Sequence, residues 1–185
     1  MGVVEELKNR YTCRQYKKDA VIPKEHLEAM ARAALDAPNA LNKQEFDIVV
    51  VTNRDLLLRA CNKKLQQFPE GARQSFIDRI DAMKVENPIT GDAPAVLFFV
   101  KNGREINEFN YVNIGASAMA ANCVALEYGY QAMCLGCLMW GDSSNMEAEL
   151  GLEKGSLLFA LAVGQPRDDA IRRPRERFNK FRFVE

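Results

Sequence analysis

Residues 106–129 read INEFNYVNIGASAMAANCVALEYG. The segment is rich in Gly, Ala and Ser, and apolar on most sides. One long helix fits it, and Gly129 is a natural C-cap. A helix without a polar face is buried all round. In a chain of 185 residues the simplest cover for it is a second copy. A homodimer with a helical core is therefore expected.

Further along the chain, YQAMCLGCLMW (130–140) reads as a buried strand, SSNMEAELGL (143–152) as a short helix and SLLFALAVG (156–164) as a strand. In the other direction, AVLFFV (95–100) is an apolar run of strand length. ARQSFIDRIDAMK (72–84) shows helical spacing through Phe76, Ile77, Ile80 and Met83. NRDLLLRACNKKLQQ (53–67) is a helix with Asn53 as its cap. FDIVVVT (46–52) is a β-branched strand. PKEHLEAMARAALDAP (23–38) is an amphipathic helix through Leu27, Met30, Ala31, Ala34 and Leu35. Pro23 stands in its first turn and Pro38 at its end. Helices and strands alternate without a strict βαβ rhythm, which predicts an α+β fold. No repeat, linker or low-complexity tract divides residues 1–185, so one domain is expected.

The 25 basic and 25 acidic residues cancel. Overall charge gives no reason to expect nucleic acid or an anionic membrane as partner. No apolar run has the length of a membrane span, and the first residues lack a signal-peptide core. Cys13, Cys61, Cys123, Cys134 and Cys137 are odd in number and scattered. That pattern fits reduced thiols in the cytoplasm. Two segments are locally basic, KNRYTCRQYKK (8–18) and IRRPRERFNKFR (171–182). Where such ends meet, they suit a small anion.

No metal site is expected. His26 is the only histidine, and it reads as solvated on the polar side of its helix. Phosphate-loop and dinucleotide fingerprints are absent. The C-x-x-C at Cys134 and Cys137 raises a redox dithiol or half a zinc site. In a strand, though, positions three apart face opposite sides with Cα atoms about 10 Å apart. A disulfide needs them within about 7 Å. Unless the backbone turns at Gly136, the pair reads as two small apolar residues. A glycine inside a strand also marks a place of close approach to the backbone. Arg10, Thr12 and Arg14 suit a phosphate or a polyol chain. Asn39, Asn42, Lys43 and Gln44 in NALNKQ could read the edge of a heterocycle, or simply make a turn.

Taken together and in order, these segments resemble the nitroreductase family of FMN-dependent oxidoreductases. RYTCRQY (10–16) stands where the family has Arg-x-Ser-x-Arg/Lys-x-aromatic. APNALNKQEFDIVVV (37–51) stands for its Ser-x-x-Asn-x-Gln-Pro-Trp and following strand. YVNIGASAMAANCVALEYGYQAMCLG (111–136) matches the long helix and its Gly-Leu-Gly exit, and LAVGQP (161–166) with RRP (172–174) matches the close. The departures are Asn39 for Ser, Thr12 for Ser, Tyr11 for a basic residue or His, and Glu45-Phe46 for Pro-Trp. The chain is also short for the family.

The resemblance implies a mainly antiparallel sheet flanked by helices, with FMN at a homodimer interface shared by both subunits. Arg10, Tyr11, Thr12 and Arg14 would line the phosphate, ribityl chain and ring edge. Arg172 or Arg173 would complete the phosphate site, and Asn42 and Gln44 would reach flavin and ribityl polar atoms. Cys134, Leu135, Gly136 and Cys137 would form a wall beside the isoalloxazine, with an N–H of Gly136 or Cys137 on flavin N5. The implied chemistry is ping-pong: NAD(P)H reduces the flavin, and a small acceptor such as a nitroaromatic, a quinone or free flavin reoxidises it. No catalytic side chain is required. The rival expectations are another flavin reaction of the family (dehalogenation, desaturation or flavin breakdown) and a non-catalytic flavin-binding dimer.

Overall fold

Four antiparallel strands lie in the order β1-β2-β4-β3: β1 Phe46–Val51, β2 Ala95–Lys101, β3 Gln131–Cys134 and β4 Leu157–Gly164. Among the described residues six helices accompany them: α1 Val3–Asn9, α2 Lys24–Leu35, α3 Arg54–Gln66, α4 Glu70–Met83, α5 Asn110–Glu127 and α6 Ser144–Leu150. The structure is a computed structural model and describes residues 2–176 and 178–184.

The central strand β2 explains the layering. Its residues are apolar without alternation because both faces are covered. Ala95, Leu97 and Phe99 join Leu27 and Met30 of α2 and Ile114, Ala118, Ala121 and Ala125 of α5. Val96, Phe98 and Val100 join Leu57 and Cys61 of α3, Phe76 of α4 and Met146 of α6. Phe98 and Phe99 are wholly buried, and each such side chain is worth about 1.5–3 kcal/mol of transfer free energy. The fold is α+β with helices on both sides of an antiparallel sheet.

Asn53 caps α3 as expected, its Oδ1 accepting from Leu56 N–H at 3.0 Å. The long helix ends as expected too. Gly129 takes φ +79°, while its N–H donates to Leu126 O and the Tyr130 N–H donates to Ala125 O, each at 2.9 Å. This is a Schellman close, and the positive φ is what requires glycine.

The structure departs from expectation in three places. First, the helix expected from Ile106 begins at Asn110, and within one chain only one side of it is covered. Ile114, Ser117, Ala118, Ala121 and Ala125 face the core, while Tyr111, Val112, Gly115 and Met119 are exposed. Second, the strand expected over 130–140 stops at Cys134, and Gly136–Met139 coils into a 3-10 turn. Third, His26 is half-buried rather than solvated. It stacks on Tyr128 at 3.8 Å, and its Nδ1 lies 3.0 Å from Tyr130 Oη, joining α2 to the end of α5. The helix α1 gives no signal in the sequence, because it buries no residue and so carries no apolar period.

Candidate functional site

The segment after α1 runs extended beneath the sheet edge and is pinned at every other residue. Tyr11 N–H donates to Oε1 of Gln131 on β3 at 3.1 Å. Cys13 is fully buried, and Tyr16 makes an antiparallel bridge with Pro166. Gln15 is the knot. Its Nε2 donates to Met83 O at the end of α4 (3.0 Å), and its Oε1 accepts from Ile171 N–H at the start of the tail (2.8 Å). Its own carbonyl accepts from Arg167 N–H at 3.0 Å. One buried amide thereby brings the two basic ends together.

The result is a cleft of about 600 Å³ lined by Lys8, Arg10, Tyr11, Thr12, Arg14 and Arg172–Arg175. Six of the sequence-predicted residues meet here: Arg10, Tyr11, Thr12, Arg14, Arg172 and Arg173. The Arg172 guanidinium lies over the Tyr11 ring, 5.3 Å from its centroid. Arg175, which no sequence motif singles out, clamps the cleft by donating to the carbonyls of Leu7 and Arg10.

Among the described residues, none of the five arginines of this cleft has a carboxylate partner; the ion pairs engage other bases. The Arg14 guanidinium is held below its ordinary value, first by burial and then by Arg173 beside it. Burial pushes Tyr11 up to about 12, with Cys13 adding to the effect and Arg172 opposing it. A pocket of guanidiniums without carboxylates is suited to bind a phosphate or another polyanion.

β3 leads directly to the second part of the site. Leu135 N–H still bonds Ala160 O at 2.9 Å, and then the backbone turns. The turn at Gly136, left open by the sequence, removes the strand argument against pairing the thiols. Both are nevertheless free: Cys134 is exposed and Cys137 half-buried. Burial pushes Cys137 up to about 11, against the pull of Arg79 and Lys64. It is a neutral thiol near pH 7, unsuited to attack. No backbone carbonyl among the described residues accepts from the N–H of Gly136 or Cys137. A Cβ placed on Gly136 would meet nothing within 4 Å, so this backbone borders open space.

Lys64 holds the far end of the turn. Its side chain is wholly buried, and Nζ donates to Trp140 O at 2.7 Å, Asp142 O at 2.8 Å and Ser143 Oγ at 2.8 Å. Ser143 Oγ in turn donates to Leu138 O at 3.0 Å. Burial lowers the Lys64 ammonium below its ordinary value.

Asn42 and Gln44 are not brought to this cleft. They precede β1, whereas Tyr11 and Cys134 attach to β3 at the opposite edge of the sheet. Three strand spacings separate the two edges, about 14 Å. Their own loop is unusual. Leu41, Asn42 and Gln44 all have φ between 50° and 56°, a region costly for residues with a Cβ. Hydrogen bonds hold it there: Ala40 N–H to Asn113 Oδ1 (3.0 Å), Gln44 N–H to Asn39 Oδ1 (3.0 Å) and Asn102 Nδ2 to Gln44 O (2.9 Å). Glu45 points inward, and its Oε1 accepts from Asn113 Nδ2 at 2.6 Å. The side chains of Asn42 and Gln44 remain exposed, joined to each other at 2.9 Å.

The sequence model of the nitroreductase family matches residues 7–165. No curated protein matches the sequence. Among solved structures, a Bacteroides fragilis nitroreductase with bound FMN is similar at a TM-score of 0.82 with 15% identity, both chains covered in full. An FMN- and NADPH-dependent nitroreductase from Sphigopyxis is similar at 0.74 and 18%, again over both full chains. A BluB-like flavoprotein from Clostridium difficile is similar at 0.73 and 21%, over 96% of this chain and 95% of that one. The sequence pattern runs from the arginine-bearing segment to the strand beyond the turn, over a fold shared end to end; this chain belongs to the nitroreductase family.

Proposed function

We propose that this chain is an FMN-dependent oxidoreductase that takes a hydride from NAD(P)H and passes two electrons to a small acceptor. The observation that carries this reading is the cleft of unpaired arginines set beside an open backbone turn. A flavin mononucleotide needs both features, a phosphate anchor and an unobstructed edge for its ring. The residues fit the group. Arg10, Arg14, Arg172 and Arg173 would hold the phosphate, and Tyr11 and Thr12 the ribityl chain. Leu135, Gly136, Cys134 and Cys137 would wall the ring, and the N–H of Gly136 or Cys137 would be the donor for flavin N5. When bound, FMN supplies the hydride acceptor and the two-electron donor. The arginines favour the added negative charge. The neutral Cys137 thiol is a poor nucleophile near pH 7, and the reading assigns no side-chain acid or base. Solved relatives that contain FMN or depend on it support the cofactor.

The functional unit is a homodimer in this reading. The exposed face of α5 carries Tyr111 and Val112, 67% and 68% exposed, beside Gly115 and Met119. An apolar helix face of this kind calls for a partner. A second copy covering it would also supply Asn42 and Gln44, which one chain holds at the wrong edge. All five thiols are free, which accords with the cytoplasm.

Anaerobic mixing of the FMN-loaded protein with NADH or NADPH is the test. The flavin bands should bleach, and return on adding a quinone or nitroaromatic. A bound flavin that neither nucleotide reduces would leave a flavin-binding dimer instead.

A further inference from the structure

The helix α4 crosses from one part of the site to the other. Its end is fastened to the arginine segment through Gln15 Nε2 and Met83 O, 3.0 Å apart. Its middle is fastened to the residues after the turn: the Phe76 ring lies edge-on to Phe68 at 5.1 Å and to Trp140 at 6.4 Å. Phe76, Arg79 and Met83 follow one another at helical spacing and share a face. Arg79 therefore stands between the Trp140 end and the Arg14 end. Its guanidinium is spread over Phe76, 3.8 Å from the ring centroid. It is half-buried and has no carboxylate or other hydrogen-bond acceptor among the described residues. Arg14, Cys137 and Arg173 are the groups that act on it electrostatically, after burial.

Charge and position together give this cation a purpose of its own. Lys8, Arg10, Arg14, Arg172, Arg173 and Arg175 already line the phosphate cleft. A phosphomonoester carries about −1.5 to −2 near neutral pH. The cleft satisfies it without Arg79. A further guanidinium held close to two others adds repulsion unless a second anion is bound. Its position selects the kind of anion. Arg79 acts electrostatically on the wall residue Cys137 and rests on the buried Phe76 ring, whose edge meets Trp140, itself 48% exposed. A ligand that meets a guanidinium there carries its charge directly on a flat ring. A dinucleotide carries its phosphates a ribose away from the ring that reacts.

Building on the flavin reading above, we infer that Arg79 is the specificity-determining residue of the acceptor site. It selects an aromatic acceptor that bears a carboxylate or another anionic substituent and lies over the flavin beside the half-exposed Trp140. The guanidinium is preorganised by its ring contact and offers paired N–H donors to a carboxylate.

The test titrates the oxidised, FMN-loaded protein with benzoate and with benzamide, following the flavin difference spectrum. Wild type is expected to bind benzoate at least about tenfold more tightly than benzamide. Arg79→Met keeps the stem on Phe76 and should remove that preference while leaving FMN content and benzamide binding as they were. Arg79→Lys should restore part of it. Equal binding of the two ligands by wild type, or a preference that survives Arg79→Met, would overturn the inference. So would an Arg79→Met protein whose only defect is slow reduction by NADH or NADPH, since the anion would then be the nucleotide's. Wild-type protein that retains no FMN overturns the flavin reading and this inference with it, and flavin content identifies that case before any ligand is added.

Discussion

Arg14 is half-buried in the cleft, and its charge is disfavoured first by burial and then by Arg173. Such a cation has most to gain from a bound phosphate. Arg14→Ala should weaken FMN binding by about 1.5–3 kcal/mol, roughly tenfold to a hundredfold, the value of hydrogen bonds to a charged group. Flavin retention after dialysis against rising FMN dilution would measure it. Cys137 tests the opposite property. Its ordinary thiol range is raised to about 11. The thiol therefore stays protonated through neutral pH and ionises only as pH approaches that value. Alkylation of Cys137 by iodoacetamide in the flavin-free protein should be slow at pH 8 and rise steeply only near pH 11, as peptide mass spectrometry would report. At this scale the charged residues were legible in the sequence, since Arg10, Arg14, Arg172 and Arg173 stand in basic runs. Gln15 and Arg79 were not. Gln15 acts through partners at Met83 and Ile171, and Arg79 lies in an ordinary amphipathic helix whose orientation only tertiary packing fixes.

The turn after β3 depends on a device the sequence hides. Lys64 sits in a helix with two lysines in a row and looks solvated, yet it is wholly buried on three acceptors. Lys64→Met preserves volume but strands those acceptors. Unfolding stability should fall by about 2–3 kcal/mol, with a matching drop in Tm. The long apolar strands were readable because Val and Phe in short runs have few other homes. The end of β3 was not, because Leu135 and Leu138 are buried in the turn just as they would be in a strand. Apolar content alone does not separate the two. The C-terminal end of α5 followed from Gly129, whose positive φ is a local requirement, whereas its start lies at Asn110 and not at Ile106.

For the whole molecule, the loop of Asn42 and Gln44 and the arginine cleft lie at opposite edges of one sheet, and the outward face of α5 is apolar. Gly115 lies on that face, and a Cβ added there would meet nothing within 4 Å, so Gly115→Glu leaves the single chain intact. On the proposal of a flavin site shared between two chains, it should shift the protein from dimer to monomer in sedimentation and reduce FMN retention at the same time. The helix composition led to the expectation of a homodimer; in the single chain one side of α5 is covered, and the side with Tyr111 and Val112 is exposed. Everything proposed for the site, however, rests on the cofactor. The most direct measurement is the visible absorption spectrum of the purified protein, repeated after incubation with FMN and desalting. Flavin bands that stay with the protein, at about one FMN per chain, are the predicted result. A protein that remains colourless after FMN is offered would contradict the account, and the arginine cleft would then belong to some other anion.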